Sequence, residues 1–263
     1  MIFTSFIFIF IILFSGPVLA NCNESWEYAP HIQAVSKNTV QNKSYFYLSP
    51  FEKYKSSDLF LIKGDNFYSY LKSNNYIFGN YIRENGSAVS GWQKAESLVG
   101  PSSKSHYSPP EVSKSDFVIM SPYKNIELGS SYELFYKAWG KCEINKQPDI
   151  GISGNFITKG GETYKYFDNF WTGFTIRSSN INFQLTGMDY NYYRITTITI
   201  NSKKYMTSRG ITIGDTTDNI FASYGKPLNL DKVQVIYKFK NSTLSFDINN
   251  DVVEKIVMDE QAE

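Results

Sequence analysis

Thr207-Ser208-Arg209-Gly210-Ile211-Thr212-Ile213-Gly214-Asp215-Thr216-Thr217-Asp218-Asn219-Ile220-Phe221-Ala222-Ser223-Tyr224-Gly225-Lys226-Pro227 reads as a strand end, a tight turn and a short helix. Gly214 supplies the turn, and Asp215 or Thr216 can cap the orphan N–H groups of the helix start. Asp215 and Asp218 lie in the first turn, where the helix dipole favours acids. Gly225 suits the left-handed position after the last helical residue, and Pro227 forbids continuation.

A second stretch has the same layout. Leu128-Gly129-Ser130-Ser131-Tyr132-Glu133-Leu134-Phe135-Tyr136-Lys137-Ala138-Trp139-Gly140-Lys141 aligns without gaps on Ile213 through Lys226. The two glycines and the final lysine are identical, and Leu/Ile, Ser/Thr, Glu/Asp, Tyr/Phe and Trp/Tyr exchanges fill much of the rest. Strand-like sequence follows each copy, so the region from residue 116 onward reads as two related helix-plus-strands units. Convergence of two capped helices on similar sequence stays open as the rival explanation.

Lys+Arg number 26 against 25 Asp+Glu, so no global charge draws the chain to nucleic acid or an anionic membrane. Met1 to Ala20 is apolar from Ile2 through Leu13 and ends in Val18-Leu19-Ala20, the form of a secretory leader with the mature chain starting near Asn21. The apolar core is short for a bilayer span, so no transmembrane anchor is expected after cleavage. Cys22 also suggests lipid attachment, but Asn21 stands where that signal has a small residue. In an oxidising compartment the pair Cys22 and Cys142 suggests one disulfide, with two unpaired thiols as the alternative.

Residues 21–39 form a polar lead-in. Short strand-like runs then follow at Tyr45–Leu48, Leu59–Ile62, Asn66–Leu71, Tyr76–Ile82 and Gly91–Gln93. Turn signals separate them at Ser49-Pro50, Lys63-Gly64-Asp65, Ser73-Asn74-Asn75 and Glu84-Asn85-Gly86-Ser87. Five short strands within about 60 residues argue for a small barrel. Residues 100–115, rich in Ser and Pro, read as an extended linker containing His106. Beyond it, residues 116–263 read as α+β, with antiparallel strands after each helix.

Tyr45-Phe46-Tyr47-x-Ser49-Pro50, Phe60-Leu61-Ile62-Lys63-Gly64-Asp65, Tyr76 to Ile82 and the closing Gly91-Trp92 resemble a bacterial SH3-like domain over residues 40–99. The resemblance implies a module for binding cell wall or protein, with Tyr76 and Trp92 near its groove; Trp92 as a core filler is the plainer reading. Such envelope proteins often carry a cysteine where this chain has Tyr54, which leaves Cys142 as the intramolecular candidate for Cys22. Arg-Gly-Ile-x-Ile-Gly-Asp-Thr, Tyr-Gly-Lys-Pro and the strands to Met258 resemble helix-plus-meander repeats of bacterial envelope proteins. These include outer-membrane assembly lipoproteins and secreted β-lactamase inhibitors. The expected fold is therefore a β-rich two-domain protein: an SH3-like small β-barrel, then an α+β domain with two helix-plus-antiparallel-strand repeats.

Catalytic motifs are absent from the sequence. A triad's base could only be His31 or His106, in the lead-in and the linker. Gly151-Ile152-Ser153-Gly154-Asn155 starts like a nucleophile elbow but has Asn155 where Gly is required. No zinc, Walker or dinucleotide motif occurs, so no metal or cofactor is expected. A carboxylate-pair hydrolase stays open, since two acids can come from anywhere in a fold.

Aromatic clusters argue for binding instead. Residues 164–174 hold six aromatics in eleven positions: Tyr164, Tyr166, Phe167, Phe170, Trp171 and Phe174. They read either as a partner-binding loop or as an aromatic strand pair covering a sheet. Tyr190, Tyr192 and Tyr193 are a second candidate surface. The chain is thus expected to be exported, to the periplasm with the extracellular space as the alternative, and to be non-enzymatic. Its expected partner is a protein, such as a toxin or envelope enzyme neutralised by an inhibitor or immunity protein. The alternative is a cell-wall-binding or envelope-assembly factor, with peptidoglycan among its ligands.

Overall fold

A computed structural model describes residues 31–100, 108–121, 123–140, 149–157, 163–180 and 192–260. The N-terminal domain is one antiparallel sheet of seven strands: β1 (His31–Val40), β2 (Ser44–Tyr47), β3 (Lys55–Leu61), β4 (Asn66–Ser73), β5 (Tyr76–Ile82), β6 (Ala88–Lys94) and β7 (Leu98–Val99). Their order is β3-β2-β6-β5-β4-β1-β7. This corrects the expected closed barrel. The sheet curls through register shifts in β1 and β4, but β3 and β7 stay as edges, so it is a half-barrel. β1 also takes in positions read from sequence as polar lead-in.

The second domain contains a three-stranded sheet in the order β14-β8-β9, built from β8 (Val118–Met120), β9 (Ile126–Glu127) and β14 (Met206–Thr207). Its larger sheet has eight strands: β10 (Asp149–Ile157), β11 (Thr163–Trp171), β12 (Phe174–Asn180), β13 (Tyr193–Ile200), β15 (Asn229–Leu230), β16 (Gln234–Phe239), β17 (Ser242–Asn249) and β18 (Val252–Glu260). They run β10-β11-β12-β13-β18-β17-β16-β15, so two meanders meet where β13 pairs β18. The helices α1 (Tyr132–Trp139) and α2 (Thr217–Tyr224) pack on one face of this sheet. Alternation explains the layering. Ile176, Ile198, Ile256, Phe246 and Leu244 point toward the helices and are fully buried, while Thr175, Thr197, Thr199 and Ser245 point the other way.

The opening stretch folds as its residues dictate. Gly214 has φ +93° and Gly225 φ +73°, and Thr216 Oγ1 accepts from the Asn219 N–H at the start of α2. The α1 copy shares the first glycine, with Gly129 at φ +80°. It departs at the end, where Gly140 is right-handed at φ −58°, and at the start, where Ser131 makes no side-chain cap. The structure therefore carries an α+β region with helices and repeated strands, but no clear repeat motif.

The two domains share a core. Tyr70, Leu71, Phe78 and Trp92 of the half-barrel pack with Met120 and Met206 of the three-stranded sheet, all at 2% exposure or less. Burial of such side chains contributes about 1.5–3 kcal/mol each, so the contact is a strong one. The Cys22–Cys142 disulfide is a further correction: no disulfide pairing is found, and both cysteines lie outside the described residues. The leader, His106 and Tyr190 lie outside them too. No helix among the described residues is long and apolar enough to cross a membrane.

Candidate functional site

Arg209, in the middle of the deciding stretch, ties the segment that leads into the second domain to helix α2. Its Nε donates to Asp116 Oδ1 at 2.6 Å and its Nη2 to Asp116 Oδ2 at 2.8 Å. Nη1 donates to the Pro110 and Ser223 carbonyls at 2.7 and 3.1 Å, and Nη2 also to the Glu111 carbonyl at 3.0 Å. All five guanidinium N–H groups are thus used, and the plane lies 4.8 Å from the centre of the Tyr224 ring. Burial opposes the charge, but the Asp116 carboxylate outweighs it and holds the guanidinium pKa above its ordinary value. Ser208 Oγ adds a bond to Asp116 at 3.2 Å, and the Asn80 amide of the half-barrel donates to the Ser208 carbonyl at 3.1 Å.

This junction fixes one wall of a cleft of about 1190 Å³ between the domains. Asp116 accepts from the Ser113 N–H at 2.8 Å, closing a capping box that presents Lys114 and Ser115. Ser121 Oγ accepts from the Lys124 N–H at 2.9 Å and donates to its carbonyl at 2.7 Å, which sets Lys124 and Asn125 on the same wall. The opposite wall is the β5–β6 hairpin. There Asn85 Oδ1 accepts from the Ser87 N–H at 3.0 Å, and Gly86 takes φ +80°. Apolar Leu48, Leu59, Val89, Val118, Met120 and Phe239 complete the lining. A smaller hollow of about 340 Å³ shares Lys114, Glu127 and Phe239 with the cleft and extends it to Arg194 and Lys240.

The groove is basic. Arg83, Lys114, Lys124, Arg194 and Lys240 face Glu127 and Glu260, and none of the five cations is in an ion pair among the described residues. Its serines are spent on turns: Ser87 Oγ donates to Asn85 at 2.7 Å, and Ser113 shares a hydrogen bond with Ser115 at 2.8 Å. Among the described residues no group of three or more His, Cys, Asp or Glu could hold a metal ion. What the groove offers is an apolar floor under a basic rim, the make-up of a binding site for an amphipathic anionic ligand.

The sequence-predicted residues fall elsewhere. Residues 163–171 are strand β11, so of the two readings of the aromatic cluster the backbone takes the strand pair. Phe167 and Trp171 point under α1 and are 7% exposed, in edge contact with Tyr132 and Phe135 respectively. Tyr166 and Phe170 point to the helix-free face, where Phe170 is 44% exposed and Arg177 lies 4.3 Å over the Tyr166 ring. The backbone of Tyr164 is in β11, and its side chain is outside the described residues. Tyr192 is exposed, while Tyr193 is buried against Phe167. Trp92 fills the half-barrel core beside Phe78. Half-buried Tyr76 donates to Glu52 at 3.3 Å, and Glu52 also pairs with Lys94 at 3.0 Å.

None of the cleft residues was singled out from sequence. They come from separated turns and strand ends, each bland by itself. The available hint was the arginine beside the Asn-Gly turn.

No protein-family model matches the chain, and no curated protein does. Among solved structures, the C-terminal domain of TagH is similar at 11% identity over 88% of this chain and 99% of that one, with a TM-score of 0.22. A likeness that loose carries no argument about fold or function.

Proposed function

We propose that this chain is an exported, non-enzymatic binding protein of the bacterial cell envelope, an assembly or holding factor whose contact site is the interdomain cleft. The observation that carries the reading is the cleft itself: two domains joined through a shared core flank an amphipathic groove, and the Arg209–Asp116 pair holds one of its walls. Rigid walls suit holding, because a pre-formed site loses little conformational entropy on binding. Export rests on the leader at Met1–Ala20.

The test is expression with the native leader, cell fractionation, and capture from the envelope fraction by the wild type and by Ala88→Trp, which fills the cleft from β6. The reading expects recovery of the processed chain outside the cytoplasm and loss of capture in the variant. Cytoplasmic recovery, or capture undiminished by the variant, would overturn it.

A second reading, an inhibitor or immunity protein, is favoured by the helix-free face of the large sheet. There exposed Phe170 lies in the same strand as Tyr166 and Asp168, and Arg177 grips Asp168 through two 2.8 Å bonds. An aromatic held beside a bidentate pair has the composition of an interface anchor. Loss of partner capture in Phe170→Ala with capture intact in Ala88→Trp would favour this reading over the first.

A further inference from the structure

We infer that the occupant of the cleft is an extended acidic segment of a partner protein, paired by its backbone to the open edge of β6. This rests on the holding reading above and adds the chemistry of what is held.

The edge follows from the pairing. On one side β6 pairs with β5 along its whole length, from Tyr76–Lys94 to Ile82–Ala88. On the other side it meets β2 only at Tyr47–Trp92. The chain leaves β2 at that point, so Ala88, Val89 and Ser90 have a neighbour strand on β5's side alone. Leu48, the first residue beyond β2, and Leu59 of β3 line the same cleft as these three residues. The cleft therefore occupies the course that a continued β2 would have taken. A strand edge in a groove presents backbone donors and acceptors in the spacing that an extended peptide satisfies, with alternate side chains turned to either wall. The facing wall also ends in a strand edge, β9, but that strand has two residues and bears Glu127. An acidic segment is placed better on β6.

Charge selects the segment. Arg83 stands at the hairpin end of β6, and Lys114 and Lys124 stand across the groove, all exposed and without ion pairs among the described residues. Arg177, Arg209 and Lys255, by contrast, each have a carboxylate partner. In a whole chain of formal net charge +1, this concentration favours carboxylates and repels basic segments. The apolar lining at Leu59, Val89 and Val118 takes the alternate side chains.

The experiment is fluorescence anisotropy at low salt with three labelled eight-residue peptides. One alternates Asp with Val and Leu, the second has Lys in place of each Asp, and the third is the acidic peptide N-methylated at alternate residues. The acidic peptide should bind at least tenfold tighter than either control, and added salt should weaken it. In Lys114→Glu/Lys124→Glu its affinity should fall at least tenfold; both side chains are exposed, and circular dichroism checks the fold. Non-saturable binding of the acidic peptide, equal binding of the N-methylated peptide, or an unchanged affinity in the double variant each overturns the inference. The two readings separate cleanly. If Ala88→Trp abolishes envelope capture while the acidic peptide fails to bind, the holding reading stands and this one falls.

Discussion

α1 and α2 dock on the same sheet face by the same backbone device and are then held by different chemistry. Before α1, the Gly129 N–H donates to the Ile195 carbonyl at 2.7 Å and the Ile195 N–H to the Ser130 carbonyl at 2.9 Å. Before α2, Gly214 donates to Val253 at 2.8 Å and Val253 to Asp215 at 2.8 Å. Both glycines have positive φ, which spares the strain a side chain would meet there. From that shared start the helices diverge. Tyr132, Phe135 and Trp139 seat α1 in an aromatic layer with Phe167, Trp171 and Phe174. α2 buries Ile220 and packs Tyr224 against Tyr237 and Phe246, and adds polar geometry: Arg209 binds the Ser223 carbonyl and stacks on Tyr224, while Tyr237 OH closes the helix end at the Gly225 carbonyl, 2.7 Å away. A dry aromatic contact degrades in proportion to area lost, whereas a buried ionic hub fails as a unit.

The largest effect should come from the hub. Arg209→Ala leaves Asp116 buried without its cation and strips donors from the Pro110, Glu111 and Ser223 carbonyls. A loss of about 5 kcal/mol is expected, the upper end for breaking one partner out of a buried pair. Arg209→Met combined with Asp116→Leu should recover more than half of it, because no uncompensated charge remains. Urea unfolding of the two variants decides this. A single-variant loss under about 1 kcal/mol would mean that the ionic hub does not hold α2.

How much of this could be read from the residues follows the same division between local and long-range causes. The α2 turn, cap and stop were legible because each rests on neighbours in sequence: Gly214, Thr216 and Gly225 do what their residue types favour. The hairpin strands β5 and β18 were legible for the same reason, from alternation ended by turn residues. Arg209 was quoted from the sequence without a role, since its partner Asp116 lies 93 positions away. The short strands β8 and β14 were missed because each has only two or three residues and their mutual pairing joins the distant Met120 and Met206. β11 could be read either as a loop or as part of a strand pair because it carries aromatics on both faces, Tyr166 and Phe170 on one and Phe167 and Trp171 on the other, which hides the two-residue period. The cleft depends on turns and strand ends from both domains brought together at their junction, and no local pattern encodes that.

A smaller effect should follow from the aromatic side of the comparison. Trp139→Ala removes a side chain 3% exposed that contacts Phe135, Trp171 and Phe174. A cost of about 3 kcal/mol is expected, at the lower end for such truncations because Trp139 lies in the last turn of a short helix. Trp139→Phe should restore part of it, as the loss tracks area. If Trp139→Ala cost as much as Arg209→Ala and Trp139→Phe restored nothing, the aromatic layer would be acting as an all-or-none unit and the contrast would collapse.

The smallest effect tests the helix starts, where the aligned residues are Ser131 and Thr216. Thr216 Oγ1 accepts from the Asn219 N–H at 3.4 Å, and Ser131 makes no side-chain cap although its backbone is also extended, at φ −61° and ψ +134°. Each residue bridges a strand through its backbone, Ser131 to Arg194 and Thr216 to Val252, and substitution leaves those bridges intact. Thr216→Ala should therefore cost about 1 kcal/mol, the usual worth of an N-cap. Ser131→Ala should change stability by no more than about 0.3 kcal/mol, inside the normal range for a substitution without a special contact. The double variant should show the sum, because the two positions share no partner. Denaturation midpoints of the three variants settle the matter. Equal losses at the two positions would show that Ser131 caps α1 in solution, and the helix starts would then be alike in side-chain chemistry as well as in backbone.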